Sequence, residues 1–327
     1  MLSLLVYQTN PSGCREEYAM TSRDDTLRIY GNLSLLEMAP ILLAAERFFD
    51  GPTHIEHGSV MALWGEGSDL ASLSSSGQAD IALNTETQAL RAAARHPDLR
   101  FIFTVAECPY RIVARRSAGI ASLVDLRGKR VGTQVESSAE YFLDAMLRSV
   151  GLTAANATLD HFMMRTEKPL NMLPEALSDG DIDAIAMWEP QVERARRLIG
   201  DDAITFYDPT IYTEKFSLCT TQANLDDDAK RRRVVSFVRA LIESSLQLRA
   251  DPERGWQLVA KTAGLDLQTV RNAWPYFIYP ATLATDTLDF CNDIEPWIAA
   301  LQDREPRDRN TLAGFIDDSV VREARAG

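Results

Sequence analysis

The run Asp125-Leu126-Arg127-Gly128-Lys129-Arg130-Val131-Gly132 passes through Thr133–Glu136 into Ser137-Ser138-Ala139-Glu140-Tyr141-Phe142-Leu143. A polar turn, a short strand and a helix follow one another here, the opening of a parallel βαβ unit. The strand is Arg130–Gly132 and the helix runs from Ser138 to Val150. Ser137 and Glu140 have the Ser-x-x-Glu spacing of a capping box, in which the two side chains satisfy free N–H groups of the first turn. Glu140 therefore reads as a cap, and Ser138 as the better candidate for ligand contact.

The same alternation extends both ways. Upstream lie strands at Leu27–Tyr30, His54–Val60, Asp80–Leu83 and Phe101–Val105, with helices over Leu36–Phe49, Ser68–Ser76 and Glu86–Arg95. Phe101–Val105 is nearly all apolar, as a strand covered on both faces should be. Downstream, strands are expected at Tyr110–Ala114, Thr158–Met163, Asp183–Met187, Ala203–Tyr207 and Phe216–Thr221. Met172–Leu177 is helical, and Trp188-Glu189-Pro190 opens a helix to Leu198, with Pro190 suited to a first turn. From Asp226 the chain turns helical: Val234–Arg249, Trp256–Ala263, Leu267–Trp274 and a tail around Pro296–Leu301. A chain of 327 residues exceeds one hydrophobic core, so two lobes are expected.

Three stretches carry a family resemblance. The run Asp125–Gly132 with Ser137–Leu143 resembles the second-lobe entry of nitrate/sulfonate/taurine-type ABC-transporter solute-binding proteins. Leu173-Pro174-Glu175-Ala176-Leu177, Gly180-Asp181-Ile182-Asp183-Ala184 and Trp188-Glu189-Pro190 are similar to their following segment. Gly77-Gln78-Ala79-Asp80-Ile81-Ala82 resembles their first-lobe Gly-x-x-Asp strand entry. The order of these motifs over Thr26–Ala300 is what makes the resemblance specific. It implies an α/β chain with the type II periplasmic-binding-protein fold, two βαβ lobes around a central cleft and a helical C-terminal region. The expected division is residues 1–25 as a poorly ordered extension, 26–107 plus 222–327 as lobe I, and 108–221 as lobe II. Hinges are expected near Glu107–Tyr110 and Thr220–Asn224.

The resemblance implies a solute-binding protein that closes on a small organic molecule, with an ABC permease as a possible partner and no cofactor. The same superfamily holds cytoplasmic enzymes, aryl-sulfinate desulfinases and a thiamine-pyrimidine synthase, so an enzyme on this fold is the alternative. Desulfinases carry their cysteine after the first strand, where this chain reads Gly31-Asn32-Leu33-Ser34. Cys108, at the crossing between lobes, is the candidate catalytic nucleophile if the protein is an enzyme.

In open parallel sheets ligands sit beyond the carboxyl ends of the strands, where helix N-termini offer free N–H groups and a positive dipole end. Candidate ligand contacts at those junctions are Asn32 and Ser34; Asn84, Thr85 and Glu86; Gln134, Glu136, Ser137 and Ser138; and Trp188 and Glu189. Trp188 can stack on a ligand. Relatives that bind oxyanions commonly carry glycine where Glu136 stands. A carboxylate there, with Glu86 and Glu189 at neighbouring junctions, repels a sulfonate or nitrate. No arginine lies in these junctions, Arg165 being the nearest candidate. The expected ligand is cationic, zwitterionic or a neutral heterocycle.

Composition sets the outer limits. Net charge is −13, with 47 acidic against 34 basic residues, which disfavours nucleic acid as a partner. No stretch approaches the ~18–20 apolar residues that span a bilayer. Met1–Val6 is apolar, but Gln8-Thr9-Asn10-Pro11 interrupts it and no basic residue precedes it, so a secretory signal is not expected. As written the chain reads as cytoplasmic; a different start would make it periplasmic, and Met20 is an alternative start. Cys14, Cys108, Cys219 and Cys291 form no CxxC pair, which argues against a disulfide framework or structural zinc. His54 and His57 lie on opposite faces of a strand, and neither His96 nor His161 completes a metal site.

Overall fold

The computed structural model describes residues 25–67, 77–153, 158–161 and 172–326, with backbone alone for 158–161. The expected helix over Ser68–Ser76, Cys14, Arg165 and the extension before residue 25 lie outside the described residues. Ten strands are present among those described: β1 (Leu27–Gly31), β2 (Thr53–His57), β3 (Ile81–Thr85), β4 (Leu99–Cys108), β5 (Arg111–Arg115), β6 (Arg130–Thr133), β7 (Thr158–His161), β8 (Ala184–Met187), β9 (Ala203–Phe206) and β10 (Glu214–Thr221). They form two five-stranded sheets, ordered β2-β1-β3-β10-β4 and β7-β6-β8-β5-β9. The helices are α1 (Ala39–Arg47), α2 (Glu86–Ala93), α3 (Ser138–Ser149), α4 (Leu173–Asp179), α5 (Gln191–Ile199), α6 (Gln222–Asp226), α7 (Asp228–Ala250), α8 (Glu253–Ala263), α9 (Leu267–Ala273), α10 (Thr287–Leu301), α11 (Arg309–Ala313) and α12 (Ser319–Ala326).

The two sheets share one plan. In each, a central strand (β1 or β6) pairs in parallel with the strands on either side. In each, one strand runs against its neighbours: β10 in the first sheet, β5 in the second. Both antiparallel strands follow a crossing from the other sheet. β10 was expected to close the second half; instead it pairs with β3 and β4, because all eight of its residues are buried and need covering on both faces. The return crossing therefore lies at residues 207–213, and Thr220–Asn224 belongs with the first sheet.

Local chemistry explains most boundaries. Helix α3 starts where the Ser137 hydroxyl accepts from the Ala139 N–H at 3.2 Å. Gly180 ends α4 in the left-handed conformation that lacks a Cβ penalty. The expected helix from Leu36 to Phe49 begins as a short 3-10 turn, Leu36–Met38, before Pro40 sets the first turn of α1. Strand β2 stops at His57, because Ser59 caps a 3-10 turn over Val60–Trp64 through the Met61 N–H. The tail helix is longer than expected, since Pro296 sits inside α10.

The core of the first sheet continues into the C-terminal helices. α7 buries Val234, Phe237, Val238, Leu241 and Leu248 along one side. Its Ser244 hydroxyl donates to the Pro40 carbonyl at 2.9 Å, tying α7 to α1. Farther on, Asn272 of α9 donates to Glu193 of α5 at 2.8 Å, so the C-terminal helices also touch the second sheet's layer.

Candidate functional site

The ends of β3, β6 and β10 bring buried polar groups together. At the β3–α2 junction, Thr85 caps the helix by accepting from the Gln88 N–H at 3.4 Å. Glu86 opens α2 and is wholly buried. Its Oε1 accepts from the Ser217 hydroxyl of β10, whose residue pairs with Asn84 across the sheet. Among the described residues, Glu86 Oε2 and Asn84 Nδ2 have no hydrogen-bond partner. Burial pushes the Glu86 carboxyl well above its usual range, and Glu214 beside it adds to the effect.

Glu214 is equally buried, at the start of β10. Tyr212 donates to its Oε2 at 2.8 Å and the Lys215 N–H to its Oε1 at 3.2 Å. Burial raises it to about 7, while hydrogen bonds from Ser138, Tyr212 and Tyr110 hold it from going further. Ser138 and Tyr110 also share a hydrogen bond of 3.0 Å. A third acid, Glu37, lies in the 3-10 turn before α1 and is raised to about 8, first by burial and further by Glu214. Two cations are close but committed. Lys215 Nζ lies 3.0 Å from Glu107 and 3.1 Å from Asp286. Arg111 is paired with Glu189.

On the facing side, Gln134 follows β6 and is buried, its Oε1 without a partner among the described residues. Its carbonyl accepts from the Ser137 hydroxyl at 2.7 Å. This turn lies against α2: Arg91, on the same helix as Glu86, donates to the Glu136 carbonyl at 2.7 Å. Trp188 is half-buried, its ring centroid 6.0 Å from that of Tyr110.

Of the sequence-based candidates, Asn84, Thr85 and Glu86 share the β3–α2 junction and Gln134, Ser137 and Ser138 the β6–α3 junction, and the two junctions meet at Glu214, which neighbours both Glu86 and Ser138; Trp188 lies beyond Tyr110. Four are placed differently. Glu136 turns outward, its carboxylate 3.2 Å from Arg91 Nη2, and its backbone is left-handed with φ at 57°. Glycine adopts that conformation without a Cβ penalty. Glu189, expected to be free near the helix start, is buried against Arg111, with Nε 2.8 Å from Oε1. Asn32 and Ser34 sit in a solvent-facing turn in which the Asn32 side chain accepts from the Ser34 N–H at 3.1 Å. Glu140 also differs as a cap, since its carboxylate accepts from the Glu136 N–H, one residue before the helix cap.

The reading missed Glu37, Glu214, Tyr110, Tyr212 and Ser217. A lone acid inside the apolar run Leu35–Leu43 was the available signal for Glu37. Cys108 is 1 % exposed and donates to the Pro109 carbonyl at 3.5 Å. Burial pushes its thiol well above the usual range, with Glu189 adding, so it is protonated rather than an activated nucleophile. Among the described residues no group of three or more His, Cys, Asp or Glu side chains could hold a metal ion. No described helix is long and apolar enough to cross a membrane.

Comparison with known proteins accords with the fold. Residues 61–255 match the family model described as NMT1/THI5 like. A protein of Haemophilus influenzae named for thiamine biosynthesis is 24% identical over 206 residues, 62% of this chain. The match spans 63% of that relative's length. The periplasmic aliphatic sulphonate binding protein SsuA of Escherichia coli superposes with a TM-score of 0.67 at 16% identity, over 88% of this chain and 91% of that one. The alkanesulfonate-binding protein SsuA of Xanthomonas axonopodis pv. citri, bound to MOPS, gives 0.65 at 18% identity, over 90% and 98%. The desulfurization enzyme DSZB gives 0.63 at 16% identity, over 92% and 99%. The fold is thus that of the periplasmic binding proteins, one that carries both binders and an enzyme.

Proposed function

The chain belongs to the NMT1/THI5-like family, and on that premise we propose that it is a solute-binding protein of the ABC-transporter type, holding one small organic molecule between its two sheets. The observation that carries this reading is a pair of buried acceptors without a partner among the described residues, Glu86 Oε2 and Gln134 Oε1, at the ends of strands from different sheets. Buried polar atoms are ordinarily satisfied, and a bound solute satisfies both.

The acids give the solute its sign. Glu136 and Glu189 contribute no free charge, since each is paired with an arginine. Glu86 stands, and Glu37 and Glu214 join it with no uncommitted cation close by. A cationic or zwitterionic solute fits this environment by pairing with a carboxylate that these acids form on giving up a proton, and a heterocycle by hydrogen bonding to them. An ABC permease is the partner in this reading. The enzyme alternative has lost its nucleophile, because Cys108 is buried and protonated.

The test is a thermal-shift screen of amines, heterocycles and sulfonates at millimolar concentration. A ligand at ~100-fold its Kd stabilises the fold by about 2.7 kcal/mol. Stabilisation by amines or heterocycles is expected. No shift with any of the three classes overturns the reading.

A further inference from the structure

We propose that the solute is an organic cation carrying at least two N–H donors, and that it enters the site in exchange for a proton held between Glu86 and Glu214. The inference rests on the solute-binding reading and specifies how the site takes its ligand.

The donor requirement comes from the orphaned atoms. Glu86 Oε2 and Gln134 Oε1 are acceptors closed to solvent, and each needs a separate N–H or O–H. They belong to opposite sides of the cleft, since Glu86 opens α2 and Gln134 follows β6. Arg91 fixes their relation by reaching from α2 to the Glu136 carbonyl at 2.7 Å. A quaternary ammonium ion satisfies neither acceptor. A primary ammonium, amidinium or guanidinium group carries the two or more N–H donors that the two acceptors require.

The exchange follows from what surrounds the two carboxyls. Facing Glu86 are Glu214, Ser217 and Lys215; Cys219 of β10 and Cys291 of α10 are close enough to feel its charge. Facing Glu214 are the hydroxyls of Ser138, Tyr212 and Tyr110. Its charge also reaches Glu37 and Cys108. Every titratable neighbour apart from Lys215 is either acidic or neutral at pH 7. Lys215 points its ammonium at Glu107 and Asp286. Two carboxylates sharing one buried site do not both ionise without a cation, so the empty site keeps a proton. Glu86 Oε1 is held by Ser217, three residues along β10 from Glu214, and both acids are wholly buried; that burial, with the charge of Glu214 on Glu86, favours the proton. An arriving cation supplies the missing charge, the proton leaves to solvent, and the net charge of the cleft is unchanged.

The experiment is isothermal titration of the full chain with methylguanidinium, tetramethylammonium and methanesulfonate. Each titration is run at pH 7 in two buffers of different ionisation enthalpy. Methylguanidinium is expected to bind with release of about one proton, and its affinity to rise up to about tenfold from pH 6 to pH 7. Tetramethylammonium is expected not to bind. In the isosteric Glu86→Gln variant, affinity for methylguanidinium falls at least tenfold and the proton release disappears. Circular dichroism checks that this variant is folded, and the wild-type proton count stands whether or not it is. Binding without proton release overturns the exchange. Equal binding of tetramethylammonium overturns the donor requirement. Binding of methanesulfonate alone overturns the cation and leaves the solute-binding reading intact. Failure of all three probes, together with the wider screen, overturns both.

Discussion

Arg111 and Glu189 form a buried ion pair, with Arg111 Nε 2.8 Å from Glu189 Oε1 and both side chains closed to solvent. The guanidinium also lies 3.9 Å above the ring of Tyr276, so a strand of the second sheet is clamped to the C-terminal region. Removing Glu189 leaves the buried Arg111 with only the more distant Glu193 carboxylate, 3.7 Å away, to balance its charge. Glu189→Gln is expected to destabilise the fold by about 3–5 kcal/mol, read as a lowered urea midpoint. Adding Arg111→Met to that variant restores part of the loss. An unchanged midpoint in the single variant would show that Glu189 is not part of the framework.

Stability should fall as the solution becomes more alkaline. Glu37 is raised to about 8 and Glu214 to about 7 in the folded chain, against an ordinary value of 4.5. The folded state therefore holds protons that the unfolded state has already released. Their stabilising effect is complete below about pH 4.5 and is lost as pH rises towards 8. Each group has a slope of about 1 kcal/mol per pH unit within its window. The melting temperature of the ligand-free protein is expected to be lower at pH 8 than at pH 6, and Glu37→Gln to flatten the difference. A melting temperature higher at pH 8 contradicts the burial of these acids in protonated form.

Cys108, Cys219 and Cys291 are all buried, and burial raises each thiol well above its usual range. In a Cys14→Ser background the native protein should not react with Ellman's reagent over minutes, and three thiols should appear in guanidinium. Rapid native labelling of Cys108 would restore it as a nucleophile.

Glu136 occupies the left-handed region, which costs an L-residue about 1–2 kcal/mol. Glu136→Gly removes that strain and loses only a half-exposed ion pair with Arg91, worth about 0–1 kcal/mol. The carbonyl that Arg91 grips is kept. A small gain in urea midpoint is expected for glycine and a clear loss for Glu136→Val. The reverse order would mean that the Arg91–Glu136 carboxylate contact outweighs the backbone.

The fold was legible where local chemistry and tertiary need agree. Asp125–Leu143 carries its own turn, strand, cap and helix, and the motif order set the two halves. β10 was legible as a strand but not as a member of the first sheet, because sheet membership is decided by partners far along the chain. The site divided in the same way. Gln134, Ser137 and Ser138 follow from a strand-to-helix junction alone. Glu189 and Glu136 were misread because their arginine partners, Arg111 and Arg91, lie 78 and 45 residues away in sequence. Glu214 opens a strand beside a lysine, a pattern that local reading takes for a solvated turn; only the assembled cleft buries it.

The strand order has a consequence for how the protein is made. β10 fills the slot between β3 and β4, yet the ribosome delivers it only after every strand of the second sheet. Until residue 221 emerges, the nascent first sheet holds two unpaired inner edges, among them the apolar Phe101–Ala106. Such edges are templates for intermolecular pairing. A chain that stops before residue 214 is thus not a smaller clamshell but an unfinished sheet with a missing keystone.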